Sequence, residues 1–239
     1  MYKKYISELR KICRGRGIKL QKIGDVGKKK EYPMFKIILG HGKKVVCFSG
    51  GIHGEEPAGP WAILEFIKHY NPKKYKDIKI VLFPVTNPYG FDKGVRHNFL
   101  NLDLNNCFCR RILLGENKIL HNTIKDENIF FFHALHENKG FKKFYLYNFE
   151  KKTEKIYRDI IVSAKKYFPI ETEKYIYGVL LSGGLITNHQ DGSFEDRMFR
   201  DGVPYSMCTE TPEAQLFSKR IELNVKIMNI VLDFTKKSK

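Results

Sequence analysis

Apolar positions along the chain follow two rhythms. Near the start, Tyr5, Ile6, Leu9 and Ile12 recur at helical spacing and predict a helix over residues 1–13. Gly15, Gly17, Gly24 and Gly27 then predict a succession of turns. Beyond them the apolar residues close up into short continuous runs: "FKIIL" (Phe35–Leu39), "KVVCF" (Lys44–Phe48) and "IKIVLFPV" (Ile78–Val85). Runs of that length bounded by Gly, Asn and Pro predict strands. Between the second and third, Pro57 and Pro60 suit the first turn of a helix, where a missing N–H costs little; it is expected to run to about His69 and stop at Asn71-Pro72. "NPYG" (Asn87–Gly90) predicts a turn.

The second half repeats the alternation. "IFFFHALHE" (Ile129–Glu137) predicts a strand, with "FKKFYLYNF" (Phe141–Phe149) as its expected neighbour. "KIYRDIIVSAKKYF" is helical, "YGVLL" and "VPYSMCTE" predict strands, and Glu213 to Phe234 predicts a long amphipathic helix. Strands alternating with helices define the α/β class, a sheet sandwiched between helices. With no repeat, low-complexity segment or long linker, a single domain over 1–239 is expected.

Composition narrows the setting. The chain is 42% hydrophobic and 13% aromatic, enough for a substantial core. No run approaches the roughly 18 apolar residues of a membrane span, so no membrane partner is expected. The first residues, "MYKKYISELRKICRGRG", are charged throughout and hold no apolar signal core. The five cysteines lack a second pair at zinc-ribbon spacing beside Cys107 and Cys109, so reduced thiols and a cytoplasmic location are expected. The formal charge of +17 raises nucleic acid, an anionic surface or an acidic substrate as partners. Yet Lys and Arg are spread over the whole chain, with no basic arm or recognisable nucleic-acid-binding signature, which favours a solvated basic surface over nucleic acid.

Chemistry-bearing residues gather at the predicted carboxyl ends of strands, where open α/β sheets bind their ligands. His53 and Glu56 follow the strand at 44–48; Arg96, Asn98 and Asn105 follow 78–85; His136 ends 129–136; Glu210 ends the strand before Thr211. A His-x-x-Glu turn can supply two metal ligands and a distant strand a third, leaving one position open as catalytic zinc requires. A histidine satisfied by its own turn, and a carboxylate favoured by a helix N-terminus, explain His53 and Glu56 equally well. The residues alone leave both readings open.

Four blocks in fixed order go further: "GGIHGEEPAG", "NPYGFDKGVRHNFLNLDLNNCF", "HALHE" and "YSMCTETP". Together they resemble the zinc carboxypeptidase family, the carboxypeptidase A-like metallopeptidases, and share the pattern of its succinylglutamate desuccinylase/aspartoacylase branch. The resemblance runs from about Phe35 to Arg220. It implies a three-layer αβα sandwich on a mixed, mostly parallel twisted sheet, with zinc held by His53, Glu56 and His136. It further implies that Arg96 stabilises the oxyanion, that Asn105 helps hold a substrate carboxylate, and that Glu210 is the catalytic carboxylate. Glu213 is a rival that follows Pro212 and is expected instead to open the last helix.

Three positions depart from the family pattern. Where an Arg is usual after the Asn of "DLN", this chain has Asn106, which removes a bidentate carboxylate clamp unless Arg110 or Arg111 replaces it. Where an Asp often stands two residues before the last His ligand, it has Ala134, so something else must orient His136. No Tyr lies on the loop before "GSFED"; His189 is the nearest substitute for a substrate-capping group. Tyr145, Tyr147 and Phe149 share one strand face and are expected in the core, and "SGGL" (Ser182–Leu185) is expected to be a turn near the cleft.

The resulting expectation is a zinc-dependent amide hydrolase, first a metallocarboxypeptidase acting on peptides. The alternative is a deacylase of N-acyl amino acids; the short stretch after Glu210, with no room for a C-terminal β-domain, favours the peptidase. A non-catalytic nucleic-acid-binding protein on the same fold stands third, because a binding module has no need of all four site residues together.

Overall fold

The computed structural model describes residues 1–150 and 155–238. In chain order the main elements are α1 (Tyr2–Gly15), β1 (Leu20–Val26), β2 (Tyr32–Leu39), β3 (Lys44–Gly50), α2 (Ala58–His69), β4 (Ile78–Phe83), α3 (Pro88–Lys93), α4 (Gly115–Ile124), β5 (Ile129–Asn138), β6 (Tyr145–Glu150), α5 (Lys155–Ala164), β7 (Tyr175–Ile176), β8 (Val179–Leu180), β9 (Leu185–Thr187), α6 (Phe194–Arg200), β10 (Tyr205–Pro212) and α7 (Phe217–Lys237). Eight strands form one mixed sheet in the order β1-β2-β4-β3-β5-β10-β6-β9, and β7 and β8 form a separate hairpin.

The parallel centre follows from the apolar runs. β3, β4, β5 and β10 pair parallel and are buried nearly throughout, as strands covered on both faces must be. Alternate residues then feed two cores. Val46, Phe48, Phe131 and Leu135 face α2 and α7, beside side chains of α1 and α5. Val45, Cys47, Phe132, Ala134 and Cys208 face the other way, against Leu120 of α4 and Phe194 and Met198 of α6. The sandwich expected from the sequence is therefore present, with helices on both faces.

Several local expectations change. The glycine-rich stretch after α1 is not all turn. β1 forms an antiparallel edge beside β2, with a bulge between Lys22 and Gly24, and the Ile119 side chain packs where a Cβ on Gly24 would sit. The "NPYG" segment opens α3: Asn87 caps it by accepting from Gly90 N–H (2.9 Å). β6 does not neighbour β5, because β10 lies between them, parallel to β5 and antiparallel to β6. "YGVLL" is mostly the β7–β8 hairpin, turning at Tyr177 and Gly178, both at positive φ. α7 begins at Phe217 and not at Glu213. No helix among the described residues is long and apolar enough to cross a membrane.

Candidate active site

The site is assembled at the carboxyl ends of β3, β5 and β10, on the α6 side of the sheet. β3 ends at Gly50; Gly51, at φ 67°, turns the chain out of the strand. The turn that follows carries His53 and Glu56 into α2. It sits so close to α3 that a Cβ on Gly54 would meet the Gly90 carbonyl carbon at 1.8 Å, so glycine is required there. In the parallel register His136 lies directly beside Glu210, and in the antiparallel register Glu210 lies beside Tyr145. One row across the sheet thus holds a candidate ligand, a candidate base and a tyrosine.

His53, Glu56 and His136 are all buried, and their ligand atoms lie within 4.8 Å of one another. His53 Nδ1 is 2.7 Å from Glu56 Oε1 and His136 Nδ1 is 3.0 Å from Glu56 Oε2. Two imidazoles therefore aim the same ring nitrogen at one carboxylate. Two nitrogens and a carboxylate converging in a buried pocket fit a borderline divalent cation such as zinc. The outer nitrogen of His53 contacts Asp103 Oδ1 at 3.2 Å, the carboxylate support expected of a metal-binding histidine. The outer nitrogen of His136 is buried with no hydrogen-bond partner. Ala134 supplies no acceptor, and the ring is held by strand register and by edge packing on His53 at 4.9 Å. Burial opposes charge on His136, but Glu56 outweighs it and lifts the imidazole to about 10. Burial likewise opposes ionisation of Glu56, yet the two histidines hold its carboxyl well below the usual range.

Arg96 reaches the same cluster. Its Nε donates to Asp103 Oδ2 at 2.8 Å and its Nη1 lies 3.8 Å from Glu56 Oε1, while the side chain stays 42% exposed. Asp103 therefore bridges His53 and Arg96. Sequence reasoning did not assign it a role, although it stands within the "DLNN" block. Burial pushes the Glu210 carboxyl up; nearby His136 pulls it down and Glu56 pushes it up again, with a net rise.

These residues line a cavity of about 330 Å³ together with Asn105, Asn106, Tyr145, Tyr147, Tyr177, Asp191, Glu195 and Cys208. Asn105 is buried, and its side-chain oxygen accepts from Phe194 N–H at 3.2 Å; Asn106 is exposed. Tyr145 and Tyr147 form part of the wall, whereas Phe149 packs in the interior against Phe199. Tyr177, 72% exposed at the hairpin tip, donates to Asn138 Oδ1 at 3.0 Å. The structure does not bring His189 into the wall: it tilts over Tyr147 at 6.3 Å. Glu213 is exposed and accepts from Gly140 N–H. Arg110 and Arg111 are exposed and outside the cavity. A larger groove of about 800 Å³ lies between α1 and β2, lined by Lys3, Arg10, Lys11 and Arg14, but volume does not locate chemistry: the clusters of His, Cys and carboxylate groups among the described residues that could hold a metal lie in the smaller cavity.

Fold and site together place a His-x-x-Glu turn and a distant histidine at the carboxyl ends of a mixed, mostly parallel sheet of carboxypeptidase-like architecture. Comparison with known proteins agrees with the resemblance read from the sequence. Residues 42–141 match the succinylglutamate desuccinylase/aspartoacylase catalytic domain. A candidate metallopeptidase structure from Shewanella amazonensis superposes with a TM-score of 0.89 at 26% identity, over 97% of this chain and 92% of that one. Another candidate metallopeptidase, from Shewanella baltica, gives 0.85 at 28% identity, over 96% and 91%. A succinylglutamate desuccinylase/aspartoacylase from Rhodobacter sphaeroides shares the fold at a TM-score of 0.63 and 13% identity, over 92% and 64%. No curated protein matches the sequence.

Proposed function

We propose that this protein is a zinc-dependent hydrolase of an amide bond, with peptides as first-choice substrates and N-acyl amino acids as the alternative. The observation that carries this reading is the convergence of His53, Glu56 and His136 in one buried cluster, beside Glu210 and Arg96, in a single cavity. Zinc held by those three residues would lower the pKa of a bound water and polarise the scissile carbonyl. Glu210, its carboxyl raised by burial, is suited to accept the attacking water's proton and return it to the leaving amine. Arg96, fixed by Asp103 but still exposed to the cavity, stabilises the negative charge that develops on the carbonyl oxygen. Asp103 keeps the outer nitrogen of His53 occupied and so would leave the inner one to hold a metal.

The test is reconstitution. Chelator-treated protein is expected to hydrolyse no amide, and one equivalent of zinc should restore activity to the wild type but not to His136→Ala. Loading must displace the proton that metal-free His136 holds, so apparent zinc affinity should fall as pH falls. Zinc content unchanged in His53→Ala and His136→Ala would defeat the reading. Pairing each cleaved peptide with its C-terminal amide shows whether a free C-terminal carboxylate is required, as strict carboxypeptidase action demands; equal rates would favour a broader amidase.

Arg96→Ala provides a second check. An oxyanion contact strengthens in the transition state, so kcat should fall by about 10²–10³-fold with little rise in KM. A rise in KM at constant kcat would place Arg96 on ground-state binding instead.

A further inference from the structure

Asn98 stands on the segment between Arg96 and Asp103 and has no part in the reading above. Of residues 95–103 it alone has a buried side chain, at 4% exposure, while Leu100 and Asn101 face solvent. A segment with so little apolar packing is placed by its hydrogen bonds, and here they converge on one amide. Asn98 Oδ1 accepts from Leu100 N–H and from Leu102 N–H, each at 3.0 Å. Asn98 N–H donates to the Leu102 carbonyl at 3.0 Å, and Asn101 N–H, from a residue at φ 58°, donates to the Asn98 carbonyl at 2.9 Å. The loop is wound around this side chain, and its two ends lead directly to Arg96 and Asp103.

The other end of the amide reaches out of the loop. Asn98 Nδ2 donates to Glu116 Oε2 at 3.1 Å, on the first turn of α4. The next residue, Asn117, donates through Nδ2 to the Leu104 carbonyl at 2.8 Å. Glu116 and Asn117 are 0% and 2% exposed, and neither they nor Asn98 line the cavity. Two adjacent side chains of α4 thus grip the segment on both sides of Asp103, at residue 98 and at residue 104. α4 is itself fixed: Leu120 and Ile124 lie in the core shared with β5 and α6, and Ile119 packs against Gly24 of β1. Asn87 holds the near end of the segment by donating to the Arg96 carbonyl at 3.2 Å. Burial pushes the Glu116 carboxyl up, against the pull of its own N–H and of Asn98. What Asn98 takes from it is therefore an acceptor oxygen more than a charge.

We propose that Glu116, acting through Asn98, is a positioning residue that fixes where the Arg96 guanidinium and the Asp103 carboxylate stand in the site, with Asn117 holding the other side of Asp103. The inference rests on the roles given to Arg96 and His53 above. The grip has two outputs because Asp103 faces both ways: Oδ2 takes Arg96 Nε at 2.8 Å, and Oδ1 lies 3.2 Å from His53 Nε2. A shift of the segment moves the oxyanion contact and the support of a metal-binding histidine together. Misplacing a transition-state group by about 1 Å costs up to about a hundred-fold in rate, even where the cause lies far from the reacting atoms.

The experiment compares two substitutions at one position. Glu116→Leu removes the acceptor from Asn98 and keeps most of the bulk; Glu116→Gln keeps the acceptor. In zinc-loaded protein, Glu116→Leu is expected to lower kcat about ten-fold with KM nearly unchanged, and Glu116→Gln to stay close to wild type. In the Arg96→Ala background Glu116→Leu should lower kcat no further, because the group it misplaces is gone. A merely structural glutamate would give the same loss in both backgrounds. A second readout needs no turnover. Zinc affinity, measured by competition with a chelator, is expected to fall about ten-fold in Glu116→Leu, and no further where Asp103→Asn is already present. Asn117→Ala repeats both comparisons from the other side of Asp103 and decides the question if Glu116→Leu does not fold. Unchanged kcat and zinc affinity, equal losses with and without Arg96, or the same loss in Glu116→Gln would overturn the inference. If zinc-loaded wild type cleaves no amide, the proposed function falls and the zinc comparison decides this inference by itself. Amide cleavage with additive losses would leave the hydrolase standing and remove the grip.

Discussion

Glu210→Gln is expected to lower turnover by about 10²–10⁴-fold, the range for losing a positioned general base, while zinc content and melting temperature stay close to wild type. The substitution keeps the shape of the side chain and its place beside His136 in the β5–β10 register. It removes only the proton acceptor. The net rise in the Glu210 carboxyl brings its basicity nearer to neutral pH, where a base both stays ionised and accepts a proton readily. Glu213, exposed and hydrogen-bonded to Gly140 N–H outside the cavity, should tolerate the same change. The measurement is kcat on the best amide from the substrate screen, with metal analysis of each variant. Retained turnover in Glu210→Gln with loss in Glu213→Gln would assign the base to the other carboxylate.

Arg220→Met is expected to cost about 3–5 kcal/mol of stability near pH 8, the usual result of stranding one half of a buried ion pair. Glu137 follows His136 at the end of β5 and is 3% exposed. One of its oxygens takes the Arg220 guanidinium from α7; the other accepts Ala58 N–H at 2.6 Å from the start of α2. The Glu137 carboxylate therefore ties the strand that carries His136 both to α7 and to the helix that follows Glu56. Methionine fills much of the same space but leaves the carboxylate with a single donor. The pH dependence has a definite sign. Burial raises the Glu137 carboxyl to about 7, although Arg220 and the Ala58 N–H pull it down, so the folded chain holds this proton more tightly than the unfolded chain. Its contribution to stability is present below the unfolded carboxyl pKa of about 4.3 and is lost as pH rises through the folded value. Losing the cation raises the folded value further, so the deficit of Arg220→Met should shrink at pH 5.5 and widen at pH 8. Denaturant midpoints at both pH values measure this, and Arg220→Met/Glu137→Gln should recover most of the loss. A variant as stable as wild type at pH 8 would show that the pair carries no such energy.

The central strands and the candidate pair His53 and Glu56 were legible along the chain because each rests on near neighbours in sequence. β3, β4, β5 and β10 are continuous apolar runs, and a strand buried on both faces can be built from little else. His53 and Glu56 share one turn, so their spacing alone suggests a common target, and the ordered blocks extended that reading to His136, Arg96 and Glu210. What pairs with what was not legible. β6 follows β5 in sequence, yet β10, more than fifty residues later, lies between them; the apolar pattern of a strand states that it is buried and not which strand lies beside it. β1 was missed because its glycines and lysines carry a weak strand pattern, and edge pairing with β2 decides it. The same division holds in the site. Asp103 becomes a bridge between His53 and Arg96 only when the loop folds back over the β3 turn. Glu195 reads along the chain as an ordinary first-turn helix carboxylate, favoured by the helix dipole. Its burial in the cavity wall, with one oxygen unpartnered, arises because α6 packs against the β5 and β10 faces through Phe194 and Met198. Residue types and short spacings determine what a side chain can do; the long-range packing that excludes water from it decides whether that chemistry is satisfied within the chain.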